Sequence, residues 1–162
     1  MSVQFFPALE GYDKNHFLNY LSCDWTSIPH KIDDLNVLTE QLGLTSLVNF
    51  LNVTRDESVF DDETMDELEK DGELIDGIWY YQGEPQWSVE PQWFLPEQGL
   101  RTVRNLLTHL RSDCGLEIEM STFDEQDWGH NYLEVMIELA ALEEILNRAV
   151  QEHKMFRICI SG

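Results

Sequence analysis

A chain of 162 residues and 19.0 kDa is one domain's worth, long enough to bury roughly 70% of its unfolded surface, and 43% hydrophobic residues exclude wholesale disorder. Thirty-one acids against ten bases, a formal charge of -21, exclude direct nucleic-acid binding and docking on anionic membranes, both of which need clustered cations. No apolar run approaches the ~20 residues of a membrane span; with no leader-like N-terminus and an odd, well-separated set of cysteines (Cys23, Cys114, Cys159), a reducing cytoplasm is the expected location.

Taken in chain order, Val3 to Leu9 reads as a first strand, with Pro7 pointing to an edge position or a bend. Asp13 to Ile28 has no clear period and is expected to be loop with one helical turn. From Lys31, the apolar Ile32, Leu35, Leu38 and Leu42 recur at helical spacing, and Gly43 is a natural stop. Thr45 is expected to cap a second, short helix holding Leu47, Val48, Phe50 and Leu51.

The next segment is unusual in charge. Residues 56–76 carry eleven acids and a single base, Lys70, nearly half of the molecule's net charge. Block charge of one sign usually marks a solvated segment, but Val59, Phe60, Met65, Leu68, Leu74 and Ile75 interrupt this one, so it is expected to dock on the fold. A short acidic helix from about Asp62 to Lys70 is predicted, ended by Gly72. Asp61 or Asp62 is its N-cap, and the early acids suit the helix dipole.

Ile78 to Tyr81 reads as a strand between Gly77 and Gly83, and Trp87 to Phe94 as another, broken by Pro91. Pro96 opens the clearest helix, expected to end before Gly115, with Leu100, Val103, Leu106, Leu107 and Leu110 inside an arc of about 120°. Leu116, Ile118 and Met120 alternate with Glu117 and Glu119, the pattern of a half-buried strand. A long helix follows from about Asn131 to Lys154, striped by Tyr132, Val135, Leu139, Leu142, Leu146, Ala149 and Val150. Phe156 to Ile160 alternates as a last strand, best placed in the same sheet as the first. With no Gly-, Ser- or Pro-rich linker, the expectation is one α+β domain over 1–162. It would hold an antiparallel or mixed sheet of four to five strands, packed by two long and two or three short helices.

One tetrapeptide occurs twice: Glu84-Pro85-Gln86-Trp87 and Glu90-Pro91-Gln92-Trp93. An even offset puts both tryptophans on one face of an extended chain, close to Trp79, Tyr80 and Tyr81. Such rings either form a recognition surface or fill the gap between sheet and helices. The run Trp93-Phe94-Leu95-Pro96-Glu97-Gln98-Gly99-Leu100-Arg101-Thr102-Val103 resembles a pattern in small acidic bacterial proteins of unassigned function, in which an aromatic pair, a proline and Gly-Leu open an amphipathic helix. Leu42 to Leu47 and the closing helix and strand are similar to the same group. The resemblance touches about half the chain and carries no activity or site. In outline such proteins are similar to the immunity proteins of toxin systems, a fold-level analogy.

Arg101, Arg104 and Arg111 fall within about 80° on the helix after Pro96, three of ten cations in an anionic chain. They either pair with the 56–76 acids or with Glu117 and Glu119, or form a small anion site. Motifs for nucleophilic catalysis, phosphate cradling and metal binding are absent. Asp124, Glu125, Asp127 and His130 are the one loop group with both carboxylates and imidazole, and read more simply as helix-capping residues. No catalytic residue, metal or cofactor is assigned. Two functions remain. The preferred one is a non-enzymatic acidic protein that binds a basic protein partner, of toxin-immunity or DNA-mimic type, as a monomer or homodimer. Its candidate contacts are Asp61, Asp62, Glu63, Asp66 and Glu67, with Trp79, Trp87 and Trp93 as anchors. The alternative is a small enzyme or ligand-binding domain. Its aromatic-lined pocket would lie beside the helix after Pro96, with Arg101, Arg104 and Tyr81 orienting a carboxylate.

Overall fold

Strands from the two ends of the chain meet at the centre of the molecule. The computed structural model describes residues 3–58, 60–120 and 125–161, and the side chains of 3–58, 60–111 and 132–161. β1 (Gln4–Leu9) pairs antiparallel with β5 (Phe156–Ser161), Gln4 opposite Ser161 and Leu9 opposite Phe156. The Phe5 N–H faces away from β5 and donates to the Trp25 carbonyl at 3.0 Å. Pro7, two residues on, points its nitrogen the same way, so its missing N–H removes nothing from the ladder. Among the described residues, the other side of β5 is touched only by single bridges, from Leu51 and from Phe94.

Between these strands, α1 (Ser27–His30) and α2 (Ile32–Gln41) follow a loop, and Gly43, at φ 68°, ends α2 in the left-handed region that glycine tolerates. The turn at Leu47–Phe50 is a 3-10 helix preceded by Ser46 without a side-chain cap. The expected capping role of Thr45 is replaced by another: its carbonyl accepts from the Thr102 hydroxyl at 2.6 Å. α3 (Asp62–Asp71) matches the acidic helix predicted, with Asp61 accepting the Thr64 N–H at 2.8 Å and Gly72 at its end.

β2 (Glu73–Ile75), β3 (Ile78–Tyr81) and β4 (Glu84–Ser88) form a separate antiparallel sheet in that order. The sequence shows no alternation at β2. Its hairpin is set instead by Asp76-Gly77, both at positive φ, as two-residue turns between strands demand; Gln82-Gly83 repeats the device. The expected Trp87–Phe94 strand is displaced: it begins at Glu84 and stops at Ser88. Beyond it the Val89 N–H turns to the Gly77 carbonyl, and Pro91 offers no donor. Trp87 therefore stands beside Trp79 across the ladder, not beside Trp93.

α4 (Pro96–Met120) and α5 (Glu125–Glu152) pack along each other and over β1 and β5. Leu100, Val103, Leu106, Leu107 and Leu110 of α4 and Val135, Leu139, Leu142, Leu146 and Ala149 of α5 are buried, as the periodicity predicts. The strand expected at Leu116–Met120 is instead the last turn and a half of α4. An alternation of five residues is too short to outweigh strong helix formers such as Leu, Glu and Met, and one interior glycine costs only about 1 kcal/mol. Among the described residues the architecture is a single α+β domain with five α-helices and five strands, the strands divided between two antiparallel sheets where one sheet was expected. The segment Leu51–Thr54 joins them: Leu51 bridges to β5 and Thr54 to β4.

Candidate functional site

The acidic segment lies on the outside of the three-stranded sheet. α3 packs on β3 through Met65, the one buried side chain of that helix. Trp87 supports the contact from within: it is buried, its Nε1 donates to Glu69 Oε1 at 3.0 Å, and its ring lies 6.4 Å from that of Phe60. Amphipathicity thus fixes which face of α3 is outward. Asp61, Asp62, Glu63, Asp66 and Glu67 are all exposed there, and β2 continues the same surface with Glu73, Leu74 and Ile75 exposed.

A single cation organises this surface. Arg55 reaches Asp66 at 2.6 Å, Glu69 at 3.2 Å and Asp62 at 3.5 Å. The Asp62 and Asp66 side chains remain 88% and 73% exposed, so these pairs are solvent-screened and individually weak. Three carboxylates on one guanidinium also leave a local excess of negative charge. Glu57 points the other way, into the fold. Asp56, Asp61, Glu63, Glu67, Asp71, Glu73 and Asp76 are exposed, and hydrogen bonds from the Thr64 side chain and backbone hold Asp61 below the ordinary carboxylate range.

The aromatic residues divide. Trp79 is half-buried in β3, and Trp93 is half-buried with the Arg157 guanidinium 5.4 Å above its ring. The exposed apolar residues nearest the acids in sequence are Phe60, Leu74 and Ile75, the last two at 50% and 49%. Simple alternation could not single them out, because it cannot distinguish an outward-facing apolar residue from a buried one.

The residues of the alternative site are placed apart. Tyr81 ends β3, in the sheet that packs on α3, whereas Arg101 and Arg104 lie on α4. Arg104 is held by α5, with Asn147 at 2.6 Å and Glu143 at 3.3 Å; the predicted pairing with the 56–76 acids is corrected, because α5 is the nearer source of acceptors. Arg101 and Arg111 are exposed. Beside α4, Gly99 sits so close to the Phe156 ring that no space remains between helix and β5 there. A cavity of about 220 Å³ lies at the start of α4, lined by Leu95, Pro96, Glu97, His153 and Lys154 among others. Another of about 430 Å³ lies between α1 and α5, lined by Val3, Thr26, Ser27, Pro29, His30, Lys31 and Glu134. Tyr81, Arg101 and Arg104 line neither. The side chains of Asp124, Glu125, Asp127, His130 and Cys114, and those of Glu117 and Glu119, lie outside the described residues. Among the described residues no group of His, Cys, Asp and Glu is arranged to hold a metal, and no helix is long and apolar enough to cross a membrane.

Sequence reasoning missed two buried ionic groups. Arg157 of β5, 4% exposed, makes a two-pronged contact with Glu57 at 2.6 and 2.7 Å and also reaches the Asn52 carbonyl; its Nε has no partner among the described residues. Burial alone would raise the Glu57 carboxyl, but the Arg157 guanidinium, the Thr54 N–H and the Lys14 charge together outweigh it and hold the group at about 2. Glu138 of α5, 3% exposed, accepts the N–H groups of Ser27 and Ile28 at 3.0–3.2 Å, and burial pushes it up to about 7. Nothing local marks either residue, since each owes its state to a segment more than 90 positions away. Compared with protein-family models, curated proteins and solved structures, the chain matches none of them.

Proposed function

We propose that this chain is a non-enzymatic binding protein that engages a basic protein partner through the face formed by α3 and β2. The observation that carries the reading is the exposure of Asp61, Asp62, Glu63, Asp66 and Glu67 beside exposed Leu74 and Ile75, with Arg55 the cation that reaches in among them. A field of one sign attracts a cationic partner over a Debye length of about 10 Å at moderate salt. Apolar side chains within it supply the dehydrated contact that charge alone does not. Inhibitors of toxin-immunity or DNA-mimic type use this chemistry, and the cytoplasm is the compartment the reading implies, with Cys23 and Cys159 as free thiols.

The test is a quadruple variant, Asp61→Asn, Asp62→Asn, Glu63→Gln and Asp66→Asn, in which the amide oxygen introduced at position 61 can still accept the Thr64 N–H. Wild-type and variant protein are immobilised and exposed to native cell extract at low and at high salt, with captured proteins identified by mass. The expected result is a basic protein held by the wild type at low salt, released at high salt, and not held by the variant, whose circular dichroism is unchanged. Equal capture by a folded variant at low salt overturns the proposal.

A further inference from the structure

Each of the two sheets has two outer edges, and three of the four are covered. Along β1 the Phe5 N–H reaches the Trp25 carbonyl. β5 is met by Leu51 and Phe94, with the Asn52 N–H on the Ile158 carbonyl. β4 is met by Thr54, with the Ser88 N–H on the Val53 carbonyl. β2 is the exception. It lies at the end of its sheet, all three of its residues are exposed, and no described residue outside β3 bonds to its backbone. The register says which groups are left open. Asp76-Gly77 is a two-residue turn closing on the pair Ile75–Ile78, the pair that exchanges both backbone bonds in such a hairpin. Alternation then turns the N–H and carbonyl of Leu74, opposite Trp79, away from β3 and toward the open edge. Leu74 also shares a face of the sheet with Trp79 and Trp87, since residues directly opposite one another point the same way. That is the side of α3, where Trp87 donates to Glu69.

We propose, resting on the reading of this face as the surface for a basic protein, that the partner is held by strand addition: an extended segment with two apolar residues between cations pairs its backbone with Leu74 at the open edge of β2.

The choice of occupant follows from charge. An open apolar edge is a template for any further strand, and proteins ordinarily cover it or guard it with charged side chains. Here the guard has one sign. The run Glu73-Leu74-Ile75-Asp76 is an acid, two apolar residues and an acid, with Asp71 before it, and all five side chains are exposed. A second copy of the chain would bring Glu73, Asp76 and the acids of α3 toward their own kind, which repels. A cationic strand meets no such penalty. Its two apolar side chains stand opposite Leu74 and Ile75, and the cations on either side of them face Glu73 and Asp76. Alternation sends the side chain opposite Leu74, and those two places along, to the side of the sheet where α3 lies, so that further cations reach the α3 acids. The backbone bonds supply affinity that does not depend on salt, and the charges select the partner.

The Leu74 amide reports the pairing. The probe is the acetylated, amidated peptide Lys-Lys-Val-Val-Lys-Lys; its control has the same charge but is N-methylated at both valines, which removes the donors a strand needs. Amide shifts and solvent-exchange rates of the full chain are followed by NMR at low salt as each peptide is added. The parent peptide is expected to shift β2 and α3 and to slow exchange at Leu74 several-fold, with both effects weakened in the quadruple α3 variant described above. The control is expected to shift α3 and leave exchange at Leu74 unchanged. Equal shifts from the two peptides, with Leu74 exchange unchanged by either, overturn strand addition and leave the basic-partner reading standing. No shift on α3 or β2 from either peptide overturns both. Slowing at Leu74 that grows with protein concentration in the absence of peptide gives the edge to a second copy and overturns the proposal.

Discussion

Two glutamates, Glu138 buried and Glu57 largely so, are displaced in opposite senses, and together they shape the pH–stability profile. Glu57, beside Arg157, is depressed from an ordinary value of 4.5 to about 2. Its contribution is fully present above about 4.5 and is lost as pH falls through about 2. Glu138 is raised to about 7. Its contribution is fully present below about 4.5 and is lost as pH rises through about 7. At about 1.4 kcal/mol for each tenfold change in proton affinity, either displacement corresponds to about 3 kcal/mol. Maximum stability is therefore expected near pH 4.5–5, unusually acid for a folded protein. Urea unfolding at intervals from pH 3 to 8.5, in high salt to screen the exposed carboxylates, measures it. Between pH 5 and 8 the wild type should lose up to about 3 kcal/mol more than Glu138→Gln, roughly 1–2 M in the urea midpoint. Below pH 4, Glu57→Gln should lose less than the wild type. Parallel curves for wild type and Glu138→Gln from pH 5 to 8 would refute the reasoning.

Two further substitutions test the packing. A Cβ at Gly99 would lie 2.5 Å from Phe156 Cζ and 3.0 Å from Leu146 Cδ1. Gly99→Ala should therefore cost about 1–3 kcal/mol of overpacking, exceeding the ~1 kcal/mol gained in helix propensity; a raised melting temperature would contradict the tight fit of α4 on β5. Arg157→Met should cost about 3–5 kcal/mol because it strands the Glu57 carboxylate, and adding Glu57→Gln should restore a large part of it. Denaturant midpoints of the two single variants and the double variant decide, and simple additivity would exclude the coupling.

What could be read from the sequence is what is local or periodic. The apolar stripes of α4 and α5, the Asp61 cap, the Gly43 stop and the alternation of Phe156–Ile160 are each written within a few residues, and each is found in the structure. The division into two sheets was not legible, because it depends on Leu51 and Thr54 making single bridges to different strands. β2 was hidden for a different reason: all three of its residues are exposed, so it has no buried face to alternate. On the candidate face, exposure of the α3 acids follows from amphipathicity. The burial of Trp87 could not be inferred, since the repeated tetrapeptide carries no record of which copy would lie under α3. Glu57, Glu138 and Arg157 read as ordinary surface charges until their distant partners are brought to them.

The disposition of the ten cations bears on why the surface is so negative. Arg55 holds α3, Arg104 clips α4 to α5, and Glu57 is met by the buried Arg157 and by the partly exposed Lys14. Lys31, Arg148 and Lys154 lie over the rings of Tyr132, Phe17 and Tyr12. Seven of the ten thus fasten one element of the fold to another, whereas most acids of residues 56–76 face solvent. Removing an exposed acid from α3 relieves repulsion and severs few contacts, so stability alone gives no reason to keep so many there. On the function proposed above, the charge of that face serves a partner and not the fold. A partner that supplies the missing cations would complete on α3 and β2 the pairing that Arg55 begins.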